Sequence, residues 1–104
     1  MKFFRIDEDA LEPLPDGVRA SYLSAEFEDR LQVMVVDLDR KGDTGKRRLD
    51  NDVLLIVIHG AGQVRSGVSV AEVRAGDVIL IEAGEEHTIW TSDDSMRIVL
   101  QSLE

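Results

Sequence analysis

Beyond residue 30 the chain is punctuated by turn residues about every eight to twelve positions, and the stretches between them are short, apolar and β-branched. Residues 31–38 (LQVMVVDL), 52–58 (DVLLIVI), 63–65, 68–73, 78–81, 87–91 and 96–100 read as strands. His59-Gly60-Ala61-Gly62, Ser66-Gly67 and Ala75-Gly76-Asp77 read as the breaks between them. Ser66-Gly67 predicts a short hairpin. Many short strands with regular turns point to an all-β sandwich or barrel. Upstream, Leu11-Glu12-Pro13-Leu14-Pro15-Asp16-Gly17 predicts an extended lead-in ending in an Asp-Gly turn. Residues 21–30 leave two readings open: Leu23 and Phe27 on one helix face, or a strand through Leu23 followed by a loop, which is the reading adopted. The 104 residues suit one domain, with 1–30 as lead-in and first strands and 31–103 as the barrel core.

A strand with one face in water alternates apolar and polar residues. Val53–Ile58, Val33–Val36 and Val78–Ile81 do not alternate. Both faces of these strands call for burial, yet a small barrel has one interior. The outer face then needs a cover. Phe3, Phe4 and Leu14 folding back over it is one solution; a homodimer is the other and is the expectation here. A dimer would also offset the limited burial of a small domain.

Composition removes several function classes. There is no cysteine, which excludes disulfides and thiolate zinc sites and fits a reducing cytoplasm. Residues 1–7 hold no run resembling a signal peptide, and Val53–Ile58, the longest apolar run, is far too short to span a membrane. A soluble cytoplasmic protein is expected. The net charge of −9 argues against nucleic acid and anionic membranes as partners. Five of the twelve basic residues nevertheless fall between Arg40 and Arg48, which reads either as a solvated loop or as a local anion site.

The stretch from Gly76 to Thr91 (GDVILIEAGEEHTIWT) resembles the second conserved motif of the cupin family. That motif runs glycine, five residues, proline, one residue, glycine, two residues, histidine, three residues, asparagine. Gly76, Gly84 and His87 fall in register; Glu82 and Thr91 replace the proline and the asparagine. The first cupin motif survives only as a frame. Gly60 fits its closing glycine, and Gly42 its leading one, a residue closer than usual. Counting back from Gly60 puts Val53 at the glutamate position and Arg47 and Leu49 at the two histidine positions. The resemblance implies a cupin-type double-stranded β-helix, a jelly-roll-like barrel. Such barrels often hold iron, manganese, zinc or nickel on three histidines and a carboxylate.

This chain has only two histidines. His59 lies six residues beyond Val53, roughly 20 Å along a strand, out of reach of the site. Asp50 and Asp52 flank the ligand positions, but with His87 they would make a weak site. No metal and no cofactor are therefore expected. His87 is either a core histidine bonded to a carbonyl or to Thr91, or a candidate catalytic base at a pocket mouth. Arg47, if inward, offers a guanidinium for a carboxylate or phosphate; it could also pair with Glu82 or Asp52, or turn out and leave Arg48 inward. Trp90 alternates away from His87 and is expected on the outer surface, at a dimer contact or under the N-terminal cover. The leading reading is a metal-free cupin binding a small organic molecule of unknown identity, an anionic one if Arg47 faces it. His87, Arg47 and Thr91 would be its polar ligand-binding residues, and Leu49, Val53, Leu55 and Ile89 its apolar lining. The alternatives are a cupin enzyme, such as a sugar epimerase or isomerase or a metal-dependent dioxygenase, and a structural barrel with no ligand.

Overall fold

The β-branched runs form strands, and the chain folds into an all-β barrel with one short turn of 3₁₀ helix among the described residues, at Glu8–Ala10. The structure, a computed structural model, describes residues 1, 3, 5–22 and 32–103. The loop expected after Leu23, and Phe4, lie outside the described residues. The strands are β1 (Glu12–Leu14), β2 (Val18–Tyr22), β3 (Val33–Leu38), β4 (Val53–Ser66), β5 (Ser69–Arg74), β6 (Val78–Ile81), β7 (His87–Trp90) and β8 (Met96–Ser102). Every pairing is antiparallel. One sheet runs β1-β2-β3-β8-β4-β6, and β7-β4-β5 forms the other. No helix among the described residues is long and apolar enough to cross a membrane.

One expectation needs correction. His59-Gly60-Ala61-Gly62 does not end a strand: β4 continues through it for 14 residues. A bulge between Val57 and His59 shifts the register against β8, and Gly60 takes φ +79°. Such a kink re-aims a strand without ending it, so β4 leaves the first sheet and enters the second. The extended lead-in and its Asp-Gly turn form as read from the sequence, and the lead-in is one strand of a hairpin. β1 pairs β2 around Pro15-Asp16-Gly17, with Asp16 and Gly17 both at positive φ (62° and 74°). The hairpin expected at Ser66-Gly67 forms between β4 and β5.

Register sorts the non-alternating runs onto two faces. Val36, Leu38, Leu55, Val57, Ile81, Met96 and Ile98 point inward and meet Val64, Val73 and Ile89 of the second sheet. Val33, Val35 and Val99 point outward and are covered by Leu11 and Ile6. The N-terminal cover is therefore real, but other residues supply it: Phe3 is 77% exposed and Leu14 45%. Hydrogen bonds explain the choice. Arg97 Nε and Nη2 donate to the two oxygens of the Asp37 carboxylate (2.6 and 2.8 Å), and Nη2 also reaches the Glu8 carboxylate (2.6 Å to Oε2). Glu8 thus pins the 3₁₀ turn to the outer face and brings Leu11 and Ile6 down onto it. Its hydrogen bonds to Asp37, then to Glu8, push the Arg97 pKa up, so the guanidinium stays charged.

A Cβ on Gly60 would lie 1.9 Å from the Ser95 carbonyl oxygen, and the three nearest atoms, on Ser95 and Met96, are all backbone. Gly60→Ala should cost at least about 2 kcal/mol in a urea titration, from overpacking plus a strained φ.

Candidate functional site

β7 is hydrogen-bonded along both edges. One edge pairs with the far end of β4, setting Ile89 opposite Val64 and His87 opposite Ser66. Along the other run residues 42–47. Arg47 and His87 exchange both backbone hydrogen bonds at 2.9 Å, and Thr44 N donates to Ile89 O at 2.9 Å. The frame that put Arg47 across from His87 is therefore the one the backbone adopts.

A cavity of about 380 Å³ opens between this edge and the inner faces of β2, β3 and β8. Its walls are aliphatic: Val18, Ala20, Met34, Val36, Ile98 and Leu100 face Ile89 and Leu49. Polar groups occupy two places. His87, 3% exposed, is buried in the wall. Its Nδ1 lies 3.5 Å from the Glu85 carbonyl oxygen, a long contact, and Nε2 has no hydrogen-bond partner among the described residues. Arg47, Asp43, Asp16 and the exposed Tyr22 form the rim. Arg47 Nε donates to Thr44 O (3.2 Å), so the guanidinium is steered by the loop it belongs to. Arg48 turns away and donates to Gly84 O (2.9 Å) and Glu86 (3.4 Å), which excludes an inward Arg48.

Of the seven ligand-binding residues read from the sequence, His87, Arg47, Leu49 and Ile89 come together here. Three do not. Thr91 is buried, but its hydroxyl donates to Asp39 O and accepts from Gly42 N (2.9 Å). It stitches the 39–42 turn to the end of β7 and faces no ligand. Leu55 is fully buried, packed with Ile79 and Ile81 where side chains fill the interior. Val53 lines a separate recess of about 240 Å³ beside Leu49 and Met34. Sequence counting placed both on the inward face but cannot say how far a filled core extends.

Ser66 was read only as a turn residue. It shares the inward parity of Val64, stands opposite His87, and its hydroxyl is buried with no hydrogen-bond partner among the described residues. Extending the alternation back from the hairpin would have found it. The cavity walls from β2 and β3 escaped motif reasoning because they hold only small and aliphatic residues.

The donor set does not fit the metal that cupin barrels often carry. The positions that would converge with His87 hold a guanidinium and two hydrocarbons, Leu49 and Val53. Asp52 accepts from Ala83 N (2.8 Å) and ties down a turn, and Asp50 is exposed. His59 pairs in register with Arg97 on the outer face. No three His, Asp or Glu side chains gather among the described residues.

Residues 38–104 match the family model of the AraC-like ligand binding domain. The chain belongs to this family and is a cupin. The match takes in β7 and the 42–49 segment, the wall that carries His87, Arg47 and Leu49. Among solved structures, a Cupin 2 conserved barrel domain protein from Salinispora arenicola superposes with a TM-score of 0.81 at 17% identity, covering 100% of this chain and 89% of that one. A polyketide cyclase from Streptomyces resistomycificus gives 0.78 at 18% identity, covering 96% and 78%. A cupin-like protein from Thermotoga maritima gives 0.74 at 21% identity, covering 82% and 67%. These likenesses establish the barrel. No match was found among curated proteins.

Thr91→Val keeps the shape of the cupin's β7 end but strands Gly42 N. It should lower stability by about 1–3 kcal/mol, measured by urea denaturation, and leave the cavity walls in place.

Proposed function

We propose that this cupin is a metal-free binding domain for a small, mostly apolar organic molecule carrying one polar or acidic group. The observation that carries this reading is the partition of the cavity: aliphatic walls, one buried imidazole, and a single guanidinium at the rim. Its volume, about 380 Å³, lies in the range of small-molecule sites. A sugar would need hydrogen-bond partners around its whole ring, and His87 and Thr44 are the polar residues in walls that are otherwise aliphatic, so an epimerase-like role has little support here. The family description, a ligand-binding domain, points the same way.

In this reading the apolar body of the ligand displaces water from Val36, Ile98 and Ile89. Its polar group meets His87 Nε2, which can donate or accept according to tautomer. A carboxylate near the rim would also engage Arg47, a charge-assisted contact. Asp16 and Asp43 stand at the same rim, and the chain is acidic overall. Arg47 therefore orients an anion at short range without attracting one from a distance. The domain is taken to work in the cytoplasm, in keeping with its lack of cysteine.

One observation favours a catalytic variant of the same site. His87 is buried with Nε2 unpartnered among the described residues, an arrangement suited to taking a proton from a bound molecule. Turnover of a bound compound that is lost in His87→Gln would establish it.

A thermal-shift panel tests the binding reading. Aromatic and branched aliphatic carboxylates and phenols should raise the melting temperature, and hexoses should not. Ala20→Leu fills the cavity and should abolish that shift while the free protein stays folded. Arg47→Ala should weaken carboxylates by about tenfold and leave phenols unchanged. Hexose binding, or ligand shifts that survive Ala20→Leu, would reject the site.

A further inference from the structure

The recess of about 240 Å³ that Val53 lines is not independent of the cavity beside His87. Met34, Leu49 and Leu100 form walls of both. Register explains the overlap. Met34 and Leu100 are partners across β3 and β8, and their inward rows run through both spaces. Val36 and Ile98 stand one step to the cavity side. Gln32 and Ser102 stand one step to the other side, where Ser102 N donates to Gln32 O (2.9 Å). The divider is thus a single layer of side chains, with Leu49 facing the pair from the 42–49 segment. We propose that the recess is a second compartment of the ligand site, that Met34 sets access to it, and that the ligand is elongated, passing Met34 to end on a hydrogen-bond donor such as a hydroxyl or an amine. The assignment rests on the binding site proposed above and adds the length and far-end chemistry of the molecule bound there.

Met34 is the member of the divider suited to give way. Its unbranched side chain has three rotatable bonds and adapts to irregular spaces. It is half-buried, with the cavity on one side and the recess on the other, so a change of rotamer carries it into existing space. Leu100 is held between Met34 and the fully buried Leu55 in register. Leu49 is tied through its main chain, where Gly84 N donates to Leu49 O (2.9 Å).

Strand geometry sets the length. From the level of Val36 to that of Gln32 is about 13 Å along the chain. A compact ring occupies the cavity alone, whereas a chain can span both spaces. The recess also sets the far-end chemistry. Gln32, Asp50, Asn51 and Ser102 line it, and no lysine or arginine does so among the described residues. Asn51 Nδ2 donates to Ser102 Oγ (3.4 Å), so acceptors predominate, chiefly Asn51 Oδ1 and the exposed Asp50 carboxylate. A donor is favoured there and a second carboxylate is opposed. The acidic group stays with Arg47 and His87, so charge tells the two ends of the ligand apart.

Calorimetric titration with straight-chain acids tests this. ω-Hydroxydecanoate should bind at least about tenfold tighter than hexanoate, because it buries further methylenes. Decanedioate should bind at least about tenfold weaker than ω-hydroxydecanoate, from repulsion at its second carboxylate. Val53→Phe fills the recess and should bring hexanoate and ω-hydroxydecanoate to about equal affinity. Met34→Ile, stiff at χ1, should narrow their ratio severalfold. The absence of native cysteine permits a measurement that needs no bulky substitution. In Ser102→Cys the new thiol reports on the recess, and ω-hydroxydecanoate, but not hexanoate, should slow its alkylation by iodoacetamide. Hexanoate binding with no gain from the longer acid, a ratio indifferent to both substitutions, decanedioate binding as well as ω-hydroxydecanoate, or a thiol left unprotected would each overturn the second compartment and leave the cavity reading intact. Failure of every acid to bind would overturn both.

Discussion

The architecture depends on one close approach, the packing of Gly60 against the backbone at Ser95. Only a residue without a side chain lets β4 bend there. Because it bends, a single strand pairs with β6 and β8 in one sheet and with β5 and β7 in the other. The two sheets are joined by covalent chain as well as by packing. The cavity follows from the same geometry. Ile89 and His87 face β2, β3 and β8 because β7 hangs from the far end of that bent strand.

The second constraint is electrostatic and lies on the opposite side of the first sheet. Asp37 is nearly buried in an outward row that is otherwise apolar, and it is tolerated because Arg97 grips both of its oxygens. Removing either member would leave a poorly solvated charge, a loss of several kcal/mol in comparable pairs. By recruiting Glu8, the pair also decides which part of the sheet the N-terminal segment covers.

Much of this was legible in the sequence. Turn spacing gave the all-β class, and the glycine-histidine frame gave the barrel and set residue 47 beside His87 in the backbone, because those signals are backbone requirements. The missed features depend on side-chain volume and long-range register. The His59–Gly62 segment has the composition of a turn, and only its neighbours make it a kink. Thr91 and His87 share one face by parity, yet Thr91 is consumed by Asp39 and Gly42 before any ligand could reach it. The covering of Val35 by Leu11 and Ile6, and not by Phe3, follows from the Glu8–Arg97 contact across 89 residues, which no local pattern encodes.

Arg47 and His87 hold each other through main-chain atoms alone, while their side chains reach separately toward the cavity. What the pocket recognises can therefore change at these two positions without loosening the barrel. Such a scaffold is free to change the lining of its cavity over evolutionary time, because that lining and the folding are written into different atoms.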